Sequence, residues 1–182
     1  MTRFLTTLLC AAVGSVSLAG APETGRPILD QFNTTILNSL INGGSADYQW
    51  QQGITAGIAG QLTRIDLFVE VDENFGESAA TEVSVTMGAP WQSDAPVWTT
   101  TKVLKSGWNT FNMSSAKISV AVGDEYTIGI HGQSTTNQFN PGFGISYDEQ
   151  YPGGDLFVNG SSAESVGNDL LFRTYVSPKR IK

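Results

Sequence analysis

The chain has 182 residues and a formal net charge of −7, with 17 acidic residues against 10 Lys and Arg. Because the cations are scattered, no basic stripe is available to replace the counterions of a nucleic acid, and we exclude nucleic-acid binding. The single Cys, Cys10, falls in a predicted leader, so the mature domain has no disulfide and no thiolate chemistry.

Residues 1–19 have the pattern of a secretory signal peptide. Arg3 supplies a positive start, an apolar stretch follows, and Ser17-Leu18-Ala19 offers the small residues that a signal peptidase reads. The apolar stretch is shorter than the ~20 residues of a membrane-spanning helix, and no second one of that length occurs. We therefore expect cleavage after Ala19 and a secreted protein without a membrane span, located extracellularly, in the periplasm or at the cell surface.

The next segments predict a short lead-in and then one folded domain. Residues 20–28 read as the flexible lead-in, the domain covers residues 29–177, and residues 178–182 form a short basic tail. Residues 28–32 have the composition of an edge strand. Residues 34–40 carry apolar side chains at helical spacing but are too few for a stable isolated helix, so their structure stays open.

The strongest alternation lies in residues 52–72 and predicts two strands around a turn. Ile65, Leu67 and Val69 share one parity, which predicts a packed face, whereas Asp66 and Phe68 share the outward parity. Further alternating segments, separated by Gly-rich turns, predict strands at 83–87, 97–104, 108–113, 118–122, 125–131, 143–147, 156–158 and 169–176.

This series of short strands without an intervening crossover helix predicts an all-β fold. We expect a two-sheet antiparallel jelly-roll sandwich with Greek-key connections, following the cleaved signal peptide. The last strand is apolar on both parities, so it should lie in the middle of a sheet. Leu67, Trp108 and Phe172 are predicted core residues, and Arg173 should pair with a buried acid such as Asp169 or Asp155.

Several motifs together resemble one group of exported domains. They are the QGITAG segment that begins at Gln52, the GQLTRIDL segment at residues 60–67, Gly107-Trp108-Asn109, the YPGG turn at residues 151–154, and DLLFRTYV at residues 169–176. The set is similar to secreted bacterial β-sandwich domains of the kind found in choice-of-anchor and C-terminally sorted exported proteins. Ile54 stands where those domains usually carry an aromatic residue. The resemblance implies a galactose-binding-like jelly roll and export, rather than a particular chemistry.

The residue types argue against an enzyme. A hydrolytic triad needs a His base beside the nucleophile, and the chain has only His131 and no G-x-S-x-G motif. The ordinary interpretation of His131 is a solvated residue at a strand end, and one His without a mature Cys disfavours zinc. A glycosidase would need two spaced carboxylates. The candidates for such a pair are Asp66, Glu70, Asp72, Asp148, Glu149 and Asp155.

Two acidic loops predict a calcium site. Calcium takes several oxygen ligands from carboxylates and backbone carbonyls, and loops at the ends of a sandwich provide both. The alternative is an ordinary solvated loop without an ion. The predicted ligands are Asp72, Glu73, Asn74 and Glu77 in one loop, and Asp148 and Glu149 in the other.

Aromatic residues near loops favour sugar binding, because a ring packs on the apolar C–H face of a sugar while polar neighbours bind its hydroxyls. For Trp91 and Tyr151, a core role and a ligand role are both open. The predicted ligand-binding residues are Trp91, Tyr151, Trp98 and Tyr147.

Two functions remain open on the sequence. The first is an exported, non-catalytic module that binds a glycan or another extracellular matrix component, with calcium as the one expected cofactor. The second is a structural or adhesive surface protein without a small ligand. A concave surface with exposed aromatic residues would favour the first function, and a smooth polar surface the second.

Overall fold

The computed structural model describes residues 25–34, 37, 39–90, 94–136, 138–147, 151–158 and 168–179. Within these ranges the chain forms two antiparallel sheets packed face to face, joined by turns and two single-turn 3-10 helices. The predicted all-β, two-sheet antiparallel sandwich is thereby confirmed. The predicted signal peptide lies outside the described residues.

The larger sheet has eight strands and is organised around one long strand, β4. Different parts of β4 pair with four other strands, because its eleven residues exceed the length of any of them. The strands of this sheet are β1 (Ile28–Asn33), β2 (Ser39–Asn42), β4 (Gly60–Glu70), β7 (Gly107–Asn112), β8 (Ile118–Val120), β10 (Gly142–Ser146), β12 (Asp169–Leu170) and β13 (Phe172–Ser177).

The smaller sheet has five strands in the order β11-β3-β9-β5-β6. Its central strand β9 pairs with β3 over seven residues and with β5 over seven residues. The side chains of these three strands therefore alternate in register between the two faces of the sheet. The strands are β3 (Gln49–Thr55), β5 (Ala80–Met87), β6 (Trp98–Val103), β9 (Glu125–Gly132) and β11 (Leu156–Val158).

Consecutive strands repeatedly change sheets, as a jelly-roll sandwich requires. The chain passes from β3 in the smaller sheet to β4 in the larger one, returns for β5 and β6, and crosses again for β7 and β8. β13 lies between β1 and β4, which confirms that the last strand is central. Leu171 interrupts the predicted strand 169–176 and divides it into β12 and β13.

The core lies between the sheets and follows the alternation of β4. Ile65, Leu67 and Val69 are fully buried, and Leu67 pairs with the equally buried Phe172 of β13. The predicted core positions of Leu67 and Phe172 are confirmed. Asp66 has the outward parity, but it is buried because Arg64 and Thr110 bind its two oxygens.

Two predictions about the larger sheet are wrong. Trp108 is not a core residue: it pairs with Phe68 on the outer parity of β4 and keeps 36% of its surface exposed. Arg173 does not pair with Asp169 or Asp155. Its guanidinium lies over the Trp108 ring, 4.0 Å from the ring centroid, because Arg173 also points outward from the sheet.

Candidate polar groove on the five-stranded sheet

A shallow groove crosses the outer face of the smaller sheet. It has a volume of about 200 Å³ and spans β3, β9 and β5, with the loop between β5 and β6 along one side. We call it the polar groove. Its lining residues are Gln49, Gln51, Glu82, Ser84, Thr86, Ala89, Asp94, Pro96, Thr127 and Gly129.

The groove follows from the alternation of three strands that are distant in sequence. Gln51, Gly129 and Ser84 are register partners on one rung, so their outward positions lie side by side. Gly129 has no side chain, and a Cβ there would lie 2.5 Å from the Ser84 hydroxyl oxygen. The Ser84 hydroxyl therefore lies over Gly129, and the Gln51 amide belongs to the neighbouring position on the same rung.

Apolar groups flank the groove at its edges. Phe157 on β11 is the register partner of Gln51, so it lies on the same face, and it is half-buried. On the other side, Ala89 and Pro96 line the groove. The predicted platform Trp91 lies between them in the chain, but it falls outside the described residues.

Tyr151 is a core residue, which corrects its prediction as a ligand platform. It is 7% exposed, and its ring packs edge-on against Phe172 at 5.1 Å between centroids. Its hydroxyl donates to the Thr55 carbonyl at 3.1 Å. Burial raises the pKa of the Tyr151 hydroxyl to about 12. A ring enclosed in this way offers no free face to a sugar.

Asp169 anchors the turn that follows Tyr151. Its two oxygens accept hydrogen bonds from Gln52 Nε2 and from the Tyr151 backbone N–H, both at 2.7 Å. Gln52 Oε1 in turn accepts from the Leu170 backbone N–H at 2.9 Å. Burial raises the pKa of the Asp169 carboxyl, although these hydrogen bonds oppose the shift. Residues of the motifs QGITAG, YPGG and DLLFRTYV thus meet in one structural network.

The other predicted aromatic residues do not form one site with Tyr151. Trp98 has the inward parity of β6, opposite Val85, and packs partly buried against the core, so its ligand role stays a prediction. Tyr147 follows β10 and is 47% exposed. A concave surface lined by two exposed aromatic residues is therefore not what the groove presents among the described residues.

In the first predicted calcium loop, the Asp72 carboxylate is engaged in hydrogen bonds within the loop. Asp72 caps a single-turn 3-10 helix, Glu73–Phe75, and its Oδ1 accepts from the backbone and side-chain nitrogens of Asn74. Glu77 is exposed. Across the part of the chain that the structure describes, no three acidic, His or Cys side chains come together as a metal site would need. Asp148 and Glu149 lie outside it, and calcium binding stays a prediction.

The outer face of the larger sheet is aromatic and cationic instead of polar. Arg173 covers Trp108, and Phe68 meets the Trp108 ring edge-on at 5.6 Å between centroids. Arg64 lies 3.8 Å from the centroid of the Tyr175 ring and binds Asp66 at 2.7 Å. These rings and cations are partners of one another, so this face is occupied by contacts within the chain.

Sequence reasoning missed the polar groove, although part of its signal was visible. Apart from Gly129, polar residues occupy the outward positions of β3, β5 and β9 that line the groove, for example Gln49, Ser84 and Thr127. The sequence does not reveal that these three strands are neighbours.

A scan of the chain against protein-family models finds no match, and a search of curated proteins finds none either. None of the helices formed by the described residues has the length and apolar character needed to cross a bilayer.

Proposed function

We propose that the protein is an exported, non-catalytic carbohydrate-binding domain whose ligand, a glycan chain, lies in the polar groove. The observation that carries this proposal is the row Gln51, Gly129 and Ser84, which brings an amide and a hydroxyl together in the groove because Gly129 between them has no side chain and the Ser84 hydroxyl lies over it. Sugar hydroxyls both donate and accept hydrogen bonds, so they match amide, hydroxyl and carboxylate groups arranged along a groove.

The shape and the flanks of the groove support a chain ligand. A volume of about 200 Å³ is small, and the groove runs across several strands rather than into the domain, so a ligand would bind along the surface. Among the described residues, Phe157 beside Gln51 is the candidate ring for sugar C–H groups, and Trp91 stays the ring predicted from the sequence. A shallow site of this kind binds weakly, and display of several copies would raise the apparent affinity.

The non-catalytic part of the proposal rests on the residues near the groove. His131 is on the groove's face, but its Nε2 lies 3.3 Å from the Ala46 carbonyl oxygen and no nucleophile motif accompanies it. Glu82 and Asp94 bring two carboxylates to the groove, which suits hydrogen bonding to sugar hydroxyls. Calcium assistance and export belong to the same proposal and rest on the sequence.

The proposal is tested on a glycan array with the multivalently displayed protein, in calcium and in chelator. Gln51→Ala, Ser84→Ala and Trp91→Ala should each weaken binding roughly tenfold, as expected for removal of one anchor from a shallow site. Trp108→Ala on the opposite face is the matched control and should bind like the wild type. Binding that depends on Trp108 but not on Gln51 would reject the groove. Cleavage of a glycan that is lost in Glu82→Gln would overturn the non-catalytic function.

A further inference from the structure

A second and larger pocket lies at one end of the sandwich, where β4 ends. It has a volume of about 590 Å³ and is lined by carboxylates and by apolar side chains. We call it the acidic pocket. The residues that matter here are Glu70, Asp72, Glu73, Val71, Phe75 and Phe139.

The acidic pocket is preformed by hydrogen bonds of a fully buried side chain, Asn140. Asn140 Nδ2 donates to the Asp72 carbonyl at 2.6 Å and to the Gly76 carbonyl at 2.7 Å, and Asn140 Oδ1 accepts from the Asp72 backbone N–H at 3.1 Å. Phe75 and Phe139 are in contact, with 5.0 Å between their ring centroids. A ligand would therefore find the pocket's walls already in place.

The lining of the acidic pocket is complementary to a chain segment that is both basic and apolar. Three carboxylates, those of Glu70, Asp72 and Glu73, line it, and none of the Lys and Arg residues that the structure describes does so. Phe75 is 54% exposed, so its ring adds an apolar surface beside these carboxylates. Aromatic rings beside carboxylates attract ammonium and guanidinium groups through both ring quadrupole and charge.

The chain carries one such segment. Residues 179–182 read KRIK, so three of the chain's ten Lys and Arg flank a single Ile. Lys102 and Lys105 flank Val103-Leu104, but Lys102 is already stacked on Phe111, as Arg64 and Arg173 are on Tyr175 and Trp108. Residues 179–182 differ in carrying three cations within four residues beside an aliphatic side chain.

The KRIK segment begins at the opposite end of the sandwich from the acidic pocket. Ser177 is the register partner of Gln61, near the start of β4, whereas Glu70 ends β4. At ~3.3 Å per residue, the strand from Gly60 to Glu70 spans about 33 Å. Residues 179–182 reach at most about 14 Å beyond Pro178. The segment cannot reach the acidic pocket of its own molecule, so a pairing between them joins two molecules.

We propose that the acidic pocket of one molecule binds the KRIK segment of a second copy. The two surfaces are different and lie at opposite ends, so an unreciprocated contact is head-to-tail and leaves one free pocket and one free segment on an open assembly. The proposal is for this open chain, and it is distinct from a ring or a two-fold dimer in which two molecules exchange segments. It would also give the protein the structural role that the sequence left open as an alternative.

The first test is self-association of the protein, measured by sedimentation from micromolar to millimolar concentration. A series of dimer, trimer and longer species is expected, weakened by high salt because the carboxylates and cations are close to solvent. Two variants should each weaken it roughly tenfold or more. They are the segment variant Lys179→Ser/Arg180→Ser/Lys182→Ser and the pocket variant Glu70→Gln/Glu73→Gln.

Matched control variants remove equal charge elsewhere and should associate like the wild type. For the segment variant the control is Arg26→Ser/Lys105→Ser/Lys117→Asn, and for the pocket variant it is Asp47→Asn/Glu125→Gln, all at exposed positions. A wild type that stays monomeric throughout, or that forms only a closed dimer, would overturn the proposal. So would association that persists in both the segment variant and the pocket variant.

The decisive test is mixing. The segment variant keeps an intact pocket, and the pocket variant keeps an intact segment, so an equimolar mixture should form a dimer that grows no further. A synthetic peptide VSPKRIK, residues 176–182, should bind the segment variant and should not bind the pocket variant. If calcium chloride stabilises the segment variant while this peptide fails to bind it, the pocket is an ion site and the proposal is rejected.

Discussion

On both outer faces of the sandwich every second side chain of a strand points outward, but the outward side chains differ in kind between the two faces. On the eight-stranded sheet, outward Arg64 and Arg173 cover Tyr175 and Trp108. On the five-stranded sheet, outward Gln, Ser, Thr and Glu side chains surround a groove with Gly129 at its floor. On one face rings and cations contact one another, and on the other amide, hydroxyl and carboxylate groups line a depression.

The comparison shows why exposure of an aromatic ring does not by itself mark a ligand site. Trp108 is 36% exposed, yet a guanidinium covers one of its faces and Phe68 meets its edge. Its contribution is stability of the sheet. We therefore propose the ligand on the face lined by amide, hydroxyl and carboxylate groups, and the variants below separate stability from binding.

The largest effect is expected for Phe172→Ala, which removes the core side chain behind both faces. Phe172 is fully buried against Leu67 and Tyr151, so its loss should lower the free energy of unfolding by about 3–5 kcal/mol. Urea unfolding measures this. Phe32→Ala is the control, because Phe32 is 55% exposed and should change stability by no more than about 0.5 kcal/mol. A loss below about 1 kcal/mol for Phe172→Ala would contradict its place in the core.

Asp169→Ala should disturb the groove side of the molecule more than the arginine stacks. It leaves the Tyr151 N–H without its acceptor and removes the main partner of Gln52 on β3, at a cost of about 2–3 kcal/mol. Hydrogen exchange should show faster opening at β3 and β11 than at β7. Exposed Asp155→Ala is the control. Equal loosening of both sheets would show that the network supports the whole sandwich.

Arg173→Ala should affect only the eight-stranded face. Loss of the contact with the Trp108 ring should cost about 0.5–1 kcal/mol, because the pair is close to solvent. Thermal unfolding measures the cost, with Lys105→Ala as the control for loss of one exposed cation. Glycan binding should be unchanged in Arg173→Ala. A variant of normal stability that no longer binds glycan would move the ligand to this face.

The smallest effect is a change in pH dependence at Asp30 on β1. Burial raises the pKa of this carboxyl, opposed in part by the hydrogen bond from the Gly57 backbone N–H. Between its ordinary pKa and the raised one, the folded protein binds more protons than the unfolded chain, so stability falls as pH rises through that window.

Asp30→Asn keeps an oxygen for Gly57 and removes the charge. Relative to the wild type, this variant should gain stability as pH rises through the window and show little difference below it. Urea unfolding at a series of pH values checks the slope. Asp47→Asn, at an exposed site, is the control. A constant difference between Asp30→Asn and the wild type at every pH would contradict the titration of Asp30.

The strands were predictable because the alternation of apolar and polar residues along a strand depends only on residues close together in the sequence. The predicted strand 83–87 appears as Ala80–Met87, and 156–158 appears unchanged as Leu156–Val158. Tyr151, Trp98 and Trp108 were harder, because large aromatic residues suit both a core and a ligand site. Their environment depends on strands far away in sequence, such as the β13 partner that covers Tyr151.

By itself, the sequence determined the class of fold, the packed parity of β4 and the burial of Leu67 and Phe172, since each rests on neighbours two residues apart. Only the tertiary structure decided which outward faces meet. It placed β3, β5 and β9 side by side to form the polar groove, and it set Arg173 on Trp108 instead of on an acid. It also separated the acidic pocket from residues 179–182 by the length of β4. Strand order and register join residues distant in the chain, and no local pattern encodes that pairing.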